Sequence, residues 1–108
     1  MSDYMLLYST FANRTEALSM ARRLLENRLI ACANIHEGVS SFYRWEGKIA
    51  EEEEVALYAK TTKNQIETAI AFIKQHHSYE LPCIIATPIT QGFMPYLTWI
   101  GEETKDQG

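Results

Sequence analysis

Apolar and polar residues fall in short blocks whose spacing switches repeatedly between strand and helix periods. Residues 4–11 are aromatic and aliphatic, the length and composition of a buried strand. Asn13 then offers a side-chain oxygen to the amides that follow, with Glu16 three residues on as a capping-box partner. Ala17, Leu18, Ala21, Leu24 and Leu25 recur at helical spacing, while Glu16, Arg22, Arg23 and Glu26 fill the other face. The spacing predicts a helix of about four turns with one buried stripe. Residues 31–35 read as a strand, followed by His36-Glu37-Gly38 and a second extended run, 39–45. In that run Val39, Ser41, Tyr43 and Trp45 share one side, and Ser40, Phe42 and Arg44 the other. Gly38 is the natural place for a bulge that bends one long strand. After a turn at 46–48 the chain returns through Ile49 and an acidic run into the apolar segment 55–60. Thr62 opens a second helix with Gln65 at its box position, and Ile66, Ala69, Ile70 and Ile73 form its buried stripe. That helix ends near His76-His77. Residues 83–89 are the last strand, with Cys83 at its start expected in the core, and Pro95 precedes a short closing helix over 96–100.

The order is βαββαβ plus a terminal helix. It predicts an α+β chain of the ferredoxin-like, split βαβ kind, one antiparallel sheet with helices on one face. One element outgrows that frame. Residues 31–45 would extend roughly 50 Å, against a usual strand of about 3–10 residues. The hairpin must therefore overhang the body or bend sharply, and its outer half carries Phe42, Tyr43 and Trp45. A ribbon with large aromatics and open edges recruits a partner strand, so it is expected to be the arm of a homo-oligomer.

Composition narrows the class. The 108 residues suit one domain, 1–108, with residues 1–3 and 104–108 expected as loose termini. Ten basic residues against fourteen acidic give a net charge of -4, which argues against a nucleic-acid binder. No apolar run approaches the roughly 20 residues of a membrane span, and the first residues show no basic leader. Two cysteines without a CxxC fit a reducing compartment, so a cytoplasmic protein is expected.

Ala31-Cys32-Ala33-Asn34, the run from Ser41 to Ile49 (SFYRWEGKI), Glu54-Val55 with Lys60-Thr61, His77-Ser78-Tyr79-Glu80 and Tyr96-Leu97-Thr98-Trp99-Ile100 together resemble the CutA divalent-cation tolerance family across nearly the whole chain. The resemblance implies a cytoplasmic homotrimer of ferredoxin-like subunits, built like the PII-type signalling proteins, that binds copper and other soft divalent ions. It also implies that Tyr43, Trp45, Lys60, Tyr79, Tyr96 and Trp99 line a cleft between subunits, and it gives Glu54 a part in the site. Two positions depart from the family pattern. Ser78 stands where a proline is usual, which loosens the turn, and Ser9 stands where some members carry a cysteine.

Among donors, Cys32 with His76 and His77 is the set suited to copper, Cu(II), or to zinc, since thiolate and imidazole select soft ions over magnesium and calcium. Spacing alone leaves the bland roles open. Adjacent helical residues point about 100° apart, so both imidazoles reach one ion only if the helix unwinds there. His76 also suits the solvent-exposed end of a helix, His77 a hydrogen bond to a neighbour, and Cys32 a small core position. His36, beside the bulge, reads as a surface residue. In Glu51-Glu52-Glu53-Glu54 only alternate members share a face, so the run reads chiefly as a solvated edge. Tyr43, Trp45, Tyr79, Tyr96 and Trp99 would cement subunits as readily as they would hold a ligand. Lys60, ending an apolar strand, either reaches solvent, pairs with a carboxylate such as Glu54, or holds an anion. No GxSxG, HExxH or phosphate-cradling loop is present, so no enzyme is expected and no organic cofactor. Two alternatives stay open: a signalling adaptor that binds a small anionic ligand between subunits, and a structural trimer that docks other proteins.

Overall fold

A computed structural model describes residues 3–105. The elements are β1 (Tyr4–Phe11), α1 (Arg14–Glu26), β2 (Cys32–Trp45), β3 (Lys48–Thr62), α2 (Lys63–His76), β4 (Ile84–Pro88) and α3 (Met94–Glu103). The four strands form one sheet in the order β2-β3-β1-β4, every neighbouring pair antiparallel. This is the ferredoxin-like arrangement that the element order predicts.

Strand alternation divides the sheet into two unlike faces. Leu7 and Phe11 of β1 and Val55, Leu57 and Ala59 of β3 form the main core with Ala17, Met20, Ala21 and Leu24 of α1 and Ile66, Ala69 and Ile73 of α2. The buried stripe of α1 therefore differs from the expected one. Leu18 and Leu25 lie 41% and 43% exposed, and Met20 takes the inward place. Residues 17, 20, 21 and 24 hold the strict helical spacing, which leaves 18 and 25 about 100° off the stripe. On the other face of the sheet α3 covers only one end. Its Leu97 and Ile100 pack on Tyr4, Ala31 and Ile89, in a cluster separate from the main core. Gly92 permits this approach, because a Cβ there would meet the Leu97 side chain at 3.1 Å.

The caps follow the sequence in part. Asn13 Oδ1 accepts from the Glu16 amide at 2.9 Å, while Glu16 takes the Asn13 side-chain amide at 3.0 Å. At α2 Thr62 is the N-cap without a side-chain cap bond, and Gln65 instead donates to the Thr104 carbonyl at 2.9 Å. Thr104 is thus not loose. It is buried, and its hydroxyl donates to the Ile100 carbonyl at 2.9 Å. Residues 1, 2 and 106–108 of the expected loose termini lie outside the described residues.

The long hairpin forms as the strand lengths require. β1 pairs with β3 only from Val55 to Thr62, so the part of β3 before Val55 pairs with β2 alone. The register shifts between His36 and Val39, where Gly38 adopts φ +75°, so the bulge falls where the glycine places it. Glu46 and Gly47, both at positive φ, close the ribbon in a two-residue turn. The chain measures 44 × 27 × 21 Å, and the ribbon leaves Phe42, Trp45 and Ile49 exposed.

Candidate functional site

The sheet face opposite the main core carries the residues of interest, in two groups set toward its ends. At the first, Cys32 of β2 lies directly across from Lys60 of β3. The Lys60 ammonium donates to Cys32 Sγ at 3.8 Å and to Asn34 Oδ1. Asn34 shares the Cys32 face two residues on, which is the signal by which it could have been found. The Tyr96 phenol is held above the ordinary tyrosine value by burial first and by Cys32 second. Trp99 stacks on Tyr96, with ring centroids 5.5 Å apart.

The second group lies where β1 ends and the ribbon begins. Glu54 is buried and accepts from the Tyr79 hydroxyl at 2.8 Å. Burial chiefly, and then that bond to Glu54, push the Tyr79 phenol well above its usual range. Tyr43 donates to Glu52, two residues before Glu54 and on the same face, and this bond raises the Tyr43 phenol. Tyr8 and Tyr58 lie against each other across β1 and β3, at 5.0 Å between centroids. Tyr8 is raised by burial first and then by Tyr58, Cys83 and Glu54. Sequence reasoning passed over both tyrosines, although each alternates with core residues of its own strand. Trp45 stands at the ribbon tip opposite Lys48.

His77, the C-cap of α2, has both ring nitrogens engaged. Nε2 donates to the Thr10 carbonyl at 2.7 Å, and Nδ1 accepts from the Tyr79 amide at 3.0 Å. The carbonyl partner fixes the proton on Nε2 and leaves the Nδ1 lone pair to the amide. The ring stacks on Phe11, with centroids 4.6 Å apart. His76 points elsewhere: its Nδ1 faces Arg23 Nη2 at 3.3 Å, and it lies against Phe72. His36 is exposed, as a surface residue beside the bulge should be. Cys83 is exposed rather than in the core, because it precedes β4 and its backbone carbonyl is what binds inward, to the buried Ser9 hydroxyl at 2.7 Å. Ser9 is thereby committed to a structural bond. Ser78 is tied as well, its hydroxyl donating to Glu16 of α1.

The three proposed donors do not meet within one chain. Cys32 aligns through Lys60 with Leu6 of β1, whereas His77 is bonded at Thr10 of the same strand. Four strand residues separate those levels by about 13 Å. Among the described residues no three or more His, Cys, Asp or Glu side chains are grouped to hold a metal ion. The immediate neighbours of Cys32 are an ammonium, an amide and a phenol, and an ammonium beside the sulfur opposes a second cation there. The residues that one chain brings together do not fit a complete copper or zinc site. Lys60 also does not meet Glu54, which lies six residues away along β3, about 20 Å.

A ferredoxin-like domain with one sheet face covered only at its α3 end, and a projecting ribbon, is the class that the geometry defines. Residues 5–103 match the family described as CutA1 divalent ion tolerance protein, and the chain belongs to that family. It is 42% identical over 99 residues to the divalent-cation tolerance protein CutA of Archaeoglobus fulgidus, covering 92% of this chain and 96% of that one. It is 39% identical over 95 residues to the Protein CutA homolog of Xenopus laevis, covering 88% of this chain. The chain spans 63% of the length of that relative and 55% of the human and Arabidopsis thaliana ones. The crystal structure of CutA from Xylella fastidiosa superposes with a TM-score of 0.93 at 38% identity, over 96% of this chain and 100% of that one. Among the described residues no helix is long and apolar enough to cross a membrane.

Proposed function

We propose that this protein serves divalent-ion tolerance as a cytoplasmic homotrimer that takes a soft ion, copper first and zinc second, in the crevices between its subunits, and that it acts by binding rather than by catalysis. The observation that carries this reading is the ribbon beyond Val55, where β2 and β3 run on without β1 and leave Phe42, Trp45 and Ile49 in solvent. A ribbon of that length calls for a second chain. The family supplies the ion class, since its relatives carry the name divalent-cation tolerance protein. Cys32 is the soft donor of the reading, because its half-buried thiol lies on the face away from the main core, beside Tyr96 of α3. His76 and His77 complete the donor set only where assembly or the ion displaces their present partners, Arg23 for the first and Thr10 and Tyr79 for the second.

Titration calorimetry with Cu(II) and Zn(II), paired with sedimentation velocity, tests both halves. A saturable heat in the wild-type trimer that disappears in Cys32→Ser and in His77→Ala is the expected result. Unchanged copper heat in the double variant removes the metal reading. A wild type that sediments at subunit mass at micromolar concentration removes the trimer.

A further inference from the structure

We infer that Lys60 of one copy of this chain pairs with Glu54 of the next, and that this contact joins the two groups of site residues into one crevice. The inference rests on the homotrimer proposed above and says which surfaces meet. Glu54 keeps only 8% of its surface exposed, yet its bonding partner is a neutral phenol, that of Tyr79. The ion pairs among the described residues are Arg14 with Glu37 and Lys105 with Glu102, so among those residues neither Glu54 nor Lys60 has a partner of opposite charge. A carboxylate withdrawn from water without a cation is costly, and so is an ammonium held only by an amide oxygen and a sulfur. Natural folds retain such groups where something outside the chain completes them.

Geometry says where the completion comes from. Lys60 and Glu54 sit on the same strand and, six residues apart, on the same face of it. At about 20 Å they cannot reach each other, because a lysine side chain extends far less than that. That face is the one that α1 and α2 leave uncovered, with α3 over its Ala31 end alone. In a closed ring every copy presents one patch to the neighbour on one side and the complementary patch to the neighbour on the other. A patch centred on Lys60 with Cys32, Asn34 and Tyr96, and another centred on Glu54 with Glu52 and Tyr79, are such a complementary pair. Closure leaves neither charge unpaired. It also sets the Cys32 thiol of one copy near the Tyr79 and His77 loop of another, which one subunit cannot do.

Charge exchange tests the pairing. Lys60→Glu and Glu54→Lys, made singly, are expected to raise the dissociation constant of the assembly about tenfold or more, and the double exchange to bring it back within a few-fold of wild type. Circular dichroism checks that each subunit still folds. Since Glu54→Lys places a new charge at a buried position, a second measurement uses the native pair. A zero-length carbodiimide should join the Lys60 amine to the Glu54 carboxyl, giving subunit dimers on a denaturing gel and an isopeptide between residues 54 and 60. Lys60→Arg should abolish that product while the assembled mass stays the same. A wild-type trimer that yields no such isopeptide, with single exchanges that leave its dissociation constant unchanged, overturns the pairing and leaves the trimer standing. A wild type of subunit mass overturns both.

Discussion

Replacing His77 by alanine separates a ligand from an anchor. The imidazole makes three contacts: it donates to the Thr10 carbonyl at the end of β1, accepts from the Tyr79 amide, and stacks on Phe11 at an interplanar angle of 17°. Each hydrogen bond is worth about 1 kcal/mol, and the aromatic stack about another. Thr10 is buried, so its carbonyl is not simply handed to water when the ring goes. The expected loss is about 3 kcal/mol, a large share of the 5–15 kcal/mol typical of a domain's stability. With a urea slope of roughly 1.5 kcal/mol/M for a chain of this size, the midpoint should fall by about 2 M. Unfolding is followed by far-ultraviolet dichroism at two protein concentrations, so that a loss local to the subunit is told from a loss of assembly. His77→Gln, which can keep a donor for Thr10, should fall between alanine and wild type. A midpoint that moves by less than about 0.5 M in His77→Ala would refute the anchor, whatever becomes of the copper heat.

Three further expectations follow from particular residues. Trp45→Ala, at the half-exposed ribbon tip, should weaken assembly in light scattering while leaving the subunit's dichroism intact; an unchanged mass across dilution counts against the ribbon as an arm. Gly38→Ala meets open space but must hold φ +75°, so it should cost about 1 kcal/mol and lower Tm by a few degrees in calorimetry, and no shift would mean that the bulge relaxes. Alkaline titration reads the phenols. Tyr8, Tyr43, Tyr79 and Tyr96 all have folded-state values raised above 10.0, so the fold favours their protonated forms. The stability they contribute is complete below about pH 10 and is lost as pH climbs toward the raised values. Tyr79→Phe should flatten that alkaline decline of the urea midpoint, and an unaltered slope would contradict the burial of this phenol beside Glu54.

Element order and the uneven hairpin were legible because their causes are local. β1 occupies the same residues, 4–11, as the aromatic and aliphatic run, and Gly38 marks the bulge because a positive φ needs no distant partner. Finer points failed where a distant group competes. Gln65 looks like half of a capping box, but the Thr104 carbonyl, 39 residues on, takes its amide. Leu18 and Leu25 are as apolar as Met20, and only the face that α1 turns to the sheet decides among them. The site residues behave likewise. Cys32 beside Lys60 and Tyr79 on Glu54 are contacts across 28 and 25 positions, fixed by strand register and by the path of the loop after α2. Residue types could nominate these side chains. Only the register could say which of them meet.

Unequal strand lengths account for both the projecting ribbon and the buried carboxylate. β4 has 5 residues and β1 has 8, while β2 and β3 have 14 and 15, so the sheet ends in a step rather than a straight edge. Val55 is the last β3 residue that β1 covers, and Glu54 is the first beyond it. A carboxylate at that step would ordinarily be solvated. Here the loop carrying His77 and Tyr79 folds back over it, anchored on Thr10 and Phe11 at the end of the shorter strand. Burial without a cation then follows from the fold, not from any local preference of the sequence. Lengthening β1 by two residues would pair Glu54 within the sheet and blunt the step. The projecting ribbon and the carboxylate buried without a cation are thus two consequences of one mismatch.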